Sequence, residues 1–136
     1  MTPIAFLKQA ARAIDQIEAL KEQIQRLDDS LHCLGRASST ESKVQSTPPK
    51  DPMGDRIVKI ADRKVRLETR LYEWEDVLYE IESVLNELPR ASYKTVLKMR
   101  YIDGKSTEVI ADTLGWSIRH VKRLHAEGLA EIKVPA

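Results

Sequence analysis

Two long stretches of the chain repeat apolar residues in steps of three and four. From Pro3 to about Leu34 they fall at Leu7, Ala10, Ile14, Ile17, Leu20, Ile24, Leu27, Leu31 and Leu34, which predicts an amphipathic helix with Gly35 as its stop. The second run is more regular. Ile57, Ile60, Lys64, Leu67, Leu71, Trp74, Leu78, Ile81, Leu85 and Leu88 keep a 3-4-3-4 rhythm up to Pro89. That is an a/d heptad seam, with Lys64 as its one polar member.

The seam allows two packings. In a parallel two-stranded coiled coil, Arg63 would face Glu68 and Arg70 would face Glu75 of a second copy, giving a homodimer. In a helical hairpin the first helix would cover the same residues. The two can coexist, and the pattern does not choose between them. Ile57, Ile60, Leu67, Leu71, Trp74, Leu78, Ile81 and Leu85 are the residues for dimerisation or helix packing, and Trp74 reads as core.

Between the two runs, residues 36–55 are rich in Ser, Thr and Pro and poor in apolar side chains, so they read as a flexible linker. The expected organisation is an N-terminal helix at 1–35, that linker, a long heptad helix at 56–88 and a compact unit at 89–136.

Three short helices are marked by punctuation in the last unit. Ser92 is a candidate cap for the first, which ends at Asp103-Gly104. Ser106 caps the second, which ends at Gly115, and Ser117 caps the third. The last two fit a helix-turn-helix. Ala111 is the small residue where helices cross, and Gly115 suits a turn of positive φ. Ile110, Leu114, Trp116, Val121 and Leu124 take the core positions. With Val121, Leu124 and Leu129 inward, the last helix turns Ser117, Arg119, His120, Lys122, Arg123 and Ala126 outward, with no acid before Glu127.

That arrangement suits double-stranded DNA. Arg119 and Arg123, one turn apart, match the bidentate geometry of guanine, and Lys122 on the flank suits a phosphate. Ser106, Thr107 and Ser117 stand near helix N-termini, where phosphates are favoured. His120 faces the same way, whereas His125 reads as a packing or capping residue.

Composition agrees with an all-α chain, since aromatics make up 5%, charged residues 32%, and there are only 5 glycines. The net charge of +1 conceals an asymmetry: from Pro89 onward there are nine Lys and Arg against five Asp and Glu. A basic end attracts polyanions. Cys33 is the only cysteine and reads as a small apolar filler. No metal site, cofactor or catalytic constellation is expected: the histidines are not spaced as ligands, and no phosphate loop or HExxH motif occurs. Lys8, Arg12 and Asp15 interrupt any signal-peptide core, and no stretch approaches a membrane span, so a soluble, cytoplasmic protein is expected.

The segment "VLKMRYIDGKSTEVIADTLGWSIRHVKRLHAEGLAEI" resembles region 4 of the sigma-70 superfamily. The whole layout is similar to RinA/ArpU-like late-gene regulators of phages and prophages of Gram-positive bacteria. "MRYIDG", "IADTLGWS" and "VKRLH" carry most of the likeness. The resemblance implies DNA binding at a phage promoter in the bacterial host cell, with activation of late genes through contact with RNA polymerase. It places Ser117, Arg119, Lys122 and Arg123 where region 4 recognition helices touch DNA. Lys122 stands where members often have an aromatic, and Gly128 where Ala is usual, so the last helix is expected to fray or bend near Gly128. Two other functions also fit helices joined to a helix-turn-helix. One is a phage packaging component such as a small terminase subunit, although in those the DNA-binding unit usually comes first. The other is a polymerase-binding protein that does not touch DNA.

Overall fold

The computed structural model describes residues 1–40 and 52–135, the side chains of 35–40 excepted. Among these the chain is all-α, with no strand. Five α-helices follow one another: α1 (Pro3–Thr40), α2 (Pro52–Asn86), α3 (Ala91–Leu97), α4 (Thr107–Leu114) and α5 (Ile118–Glu131). A π-helical turn, Lys98–Ile102, continues α3. Most of the linker expected at 36–55 lies outside the described residues. At its near end α1 runs through Gly35 to Thr40, because a single interior glycine costs only about 1 kcal/mol in a long helix. At its far end α2 begins at Pro52, since the proline ring presets the dihedral angle of a first helical position.

The residues form two compact units, one of Gln16–Glu73 and one of Met1–Asp15 with Trp74–Ala136. In the first unit α1 and α2 run antiparallel as a helical hairpin. Leu20, Ile17 and Leu67 are buried, while Ile24, Leu27, Leu31, Ile57, Ile60 and Leu71 are half-buried. Two helices alone can bury only one stripe of each other, and the core is correspondingly thin. Lys64, the polar seam residue, forms an ion pair with Asp28 of α1. The hydrogen bond to that carboxylate keeps Lys64 charged and moves its pKa above the ordinary lysine value. Cys33 is exposed and does not fill the core, because the thin hairpin leaves its side of α1 uncovered.

In the second unit the beginning of α1 again runs antiparallel to α2. Phe6, Leu7 and Ala10 join Ile81, Val84, Leu85 and Leu88 in one core with Tyr93, Val96, Leu97, Met99, Ile110, Ala111, Val121, Leu124 and Ile132. Thr2 caps α1, its hydroxyl oxygen accepting from the Ala5 N–H at 3.2 Å. Trp74 and Leu78 are half-buried, and the Arg12 guanidinium lies 5.6 Å from the Trp74 ring centroid.

The cap of α3 is Arg90, not Ser92, and no side chain bonds the first turn. Pro89 disfavours helical backbone at Leu88 and so ends the preceding helix, Arg90 is extended (φ −115°, ψ 136°), and the new helix starts at Ala91, one residue before Ser92. The π-turn closes with the Asp103 N–H donating to the Lys98 carbonyl at 3.0 Å, and Gly104 (φ +69°) turns the chain toward α4.

Candidate nucleic-acid interface

The helix-turn-helix is built by local hydrogen bonds that its sequence supplies. The Ser106 hydroxyl oxygen accepts from the Val109 N–H at 3.3 Å, starting α4. Gly115 adopts φ +70°, ψ 29°, and the N–H groups of both Gly115 and Trp116 donate to the Ala111 carbonyl, ending it. Only glycine takes this left-handed conformation without a steric cost. Two residues on, the Ser117 hydroxyl oxygen accepts from the His120 N–H at 3.1 Å and starts α5. Both serines accept through oxygen, so each keeps an O–H hydrogen to donate outward.

α5 is held from two sides. Val121 and Leu124 are buried against α4 and α3 together with Ile110 and Ala111, and Leu114 and Trp116 pack at the edge of the same core. Leu129 packs half-buried against the same core, and Gly128 beside it is fully inward. A Cβ added at Gly128 would lie 3.1 Å from Leu97 Cδ1 and 3.3 Å from Tyr93 Cβ. The expected fraying does not occur, since α5 continues to Glu131. Removing the side chain lets α5 approach α3, and this contact supports the helix where glycine weakens it.

The outer side of α5 carries the cations. Ser117, Arg119, Lys122, Arg123 and Ala126 are exposed, and His120 is half-buried. Ser117, Arg119, His120 and Arg123 line one shallow recess, with Lys122 outside it. Thr107 and Ser106 are half-buried at the start of α4. His120 meets the Trp116 ring edge-on, with centroids 5.1 Å apart. Its Nδ1 lies 3.0 Å from Arg123 Nη2. A guanidinium only donates, so Nδ1 is the acceptor and the ring proton sits on Nε2.

Two contributors, Glu127 and Arg100, escape a reading of the sequence, and His125 packs as expected, on a partner the sequence does not name. Glu127 accepts from the Tyr93 hydroxyl at 3.0 Å and lies 3.8 Å from Arg123 Nε. Burial, and then the bond to Glu127, raise the Tyr93 pKa. Glu127, held by Tyr93, thus stands within ion-pair reach of Arg123. Arg100, in the π-turn, donates to the Lys105 carbonyl at 3.4 Å and so adds charge beside Ser106. His125 stacks on Tyr101, with centroids 5.7 Å apart and the Tyr101 hydroxyl 2.8 Å from Nε2. Burial, and then the Arg100 charge, lower the His125 pKa, while burial raises that of Tyr101.

Among the described residues no three His, Cys, Asp or Glu side chains gather as metal ligands, and no helix is long and apolar enough to cross a membrane. Comparison with known proteins finds no match among curated proteins or solved structures. Residues 78–132, from late α2 to just past α5, match the family described as "Sigma-70, region 4". That part of the chain is therefore similar to sigma-70 region 4 and carries a region 4-like helix-turn-helix.

Proposed function

We propose that the protein is a sequence-specific transcriptional regulator that lays α5 in the major groove of double-stranded DNA. It acts with RNA polymerase at late-gene promoters of a phage or prophage in a bacterial cell, as an activator. The observation that carries the DNA reading is the outer side of α5, where Arg119, Lys122 and Arg123 are exposed together on a Ser117-capped helix with no acid before Glu127. In this reading Arg119 and Arg123 contact base edges, Lys122 contacts a phosphate, and His120 turns its Nε2–H toward the groove. Ser106, Thr107 and Ser117 fix the register by donating to phosphates near the starts of α4 and α5. The late-gene role draws on the resemblance of the whole layout to RinA/ArpU-like regulators.

The test is selection of bound sequences from a random duplex pool by the full chain, followed by transcription from the selected site with bacterial RNA polymerase. The reading requires a defined recognition sequence and increased transcription. Retention of all sequences equally, or of none, would contradict it.

A further inference from the structure

The first half of α2 carries a row of cations with little to balance it. Lys59, Arg63, Arg66 and Arg70 are spaced four, three and four residues apart, which sets all four within about 60° on one side of the helix. All four are exposed, they line one shallow recess, and none forms an ion pair among the described residues. Lys64, by contrast, is paired with Asp28.

The acids nearby do not cancel this charge. Asp62 is the one acid lining the recess, which therefore carries four positive charges against one negative. Asp55 and Glu73 stand one turn beyond its two ends. From α1 the recess receives only Gln23, and the residues stacked with Gln23 at helical spacing, Gln16, Ala19, Arg26 and Ser30, include no acid. Asp28 and Glu68 act on Lys64 instead. Arg56, one turn before Lys59, shares a separate recess with Asp29 and is left out of the row. All these residues belong to the Gln16–Glu73 unit.

We propose that this row holds the phosphate backbone of duplex DNA, as a second and sequence-independent contact in addition to that of α5. Three observations choose this occupant. The row is roughly 16 Å long, too long for one small anion and suited to a repeating one. Three of its four members are arginines, whose planar forks pair bidentately with phosphate oxygens. The only apolar lining residue is Leu67, which is 7% exposed. The recess thus offers a protein partner no apolar anchor, whereas a sugar-phosphate backbone needs none. The proposal takes DNA as the partner from the reading of α5 and in that respect rests on it, but the two surfaces share no residue. Each neutralised phosphate releases counterions, so each contact adds about 0.9 to the salt dependence of binding and adds no base preference.

The test is the salt dependence of binding by the full chain, both to a duplex carrying its selected site and to a random duplex of equal length. Arg63→Gln/Arg66→Gln should reduce the slope of log K against log salt by about 2 on both duplexes. Changing Lys59 and Arg70 to Gln as well should reduce it by about 3–4 and lower affinity roughly tenfold or more, with the selected sequence unchanged. Lys21→Gln, at an exposed position two turns before Asp28, should leave the slope at its wild-type value. Glutamine matches lysine and arginine in helix propensity, and unchanged circular dichroism would confirm that the variants fold. Wild-type slope and affinity in the fourfold variant, with Arg123→Ala weakened, would overturn the proposal and leave the reading of α5 standing. The reverse pattern would uphold the proposal and sink that reading. A fourfold variant that binds DNA normally but no longer stimulates transcription would assign the row to a protein partner and overturn the proposal. A wild-type chain that binds neither duplex would overturn both.

Discussion

Gly128 of α5 packs so closely on Leu97 of α3 that a Cβ added to it would lie 3.1 Å from the Leu97 Cδ1. Leu97 is fully buried and Tyr93, on the same side, nearly so, which leaves neither much room to yield. Placing the outer side of α5 thus depends on an absence of side chain on its inner side.

Substituting Gly128→Ala sets two effects against each other. Helix propensity favours alanine by about 1 kcal/mol. Overpacking a rigid core costs about 1–3 kcal/mol. Because the contact at 3.3 Å is with the Tyr93 Cβ, which cannot swing away, crowding should win. The expected net loss is about 1 kcal/mol in urea unfolding of the full chain; a gain in stability would show that α3 and α5 are less tightly fitted.

Ser117→Ala should remove the cap of α5 and cost about 1 kcal/mol of stability. It also deletes the outward O–H that the proposed interface uses. DNA affinity should therefore fall even at a temperature where the variant is fully folded. Thermal unfolding and a binding titration on the same preparation separate the two losses.

Tyr101 and His125 make stability depend on pH. The folded His125 has a pKa below the ordinary histidine value of about 6.5, first through burial and then through Arg100. The unfolded chain therefore takes up a proton more readily than the folded one. This contribution is fully present above about pH 6.5 and is lost as pH falls through the lower folded value. The urea midpoint should drop between pH 7.5 and 5.5, and His125→Gln should flatten that drop. Tyr101→Phe should cost about 1 kcal/mol at neutral pH by removing the 2.8 Å hydrogen bond.

The parts legible in the sequence are those made within a few residues. Ser106 and Ser117 cap the helices they precede, and Gly115 takes the positive φ its position requires. Ala111 and Val121 follow from helical spacing alone. The parts that escaped depend on residues far apart in the chain. Glu127 reads as the acid that ends a basic run until Tyr93, 34 residues earlier, is seen to hold it. Gly128 reads as a weak point until α3 fills the space beside it. The start of α3 at Ala91 escaped because its cap, Arg90, bonds no side chain to the first turn and so leaves no capping residue to read. The heptads of α2 left hairpin and coiled coil open because either covers the same seam; the pairing of Lys64 with Asp28 belongs to the hairpin.

If the outer side of α5 reads DNA, the salt dependence of binding will distinguish its variants. Affinity for the selected site should be measured across salt concentrations for wild type, Lys122→Ala, Arg119→Ala and Arg123→Ala. Lys122→Ala should weaken binding to all sequences alike and reduce the salt slope by about 1. Arg119→Ala and Arg123→Ala should each cost about 1–3 kcal/mol at the selected site and lose discrimination at a base pair. Wild-type affinity, slope and base preference in all three variants would contradict the account.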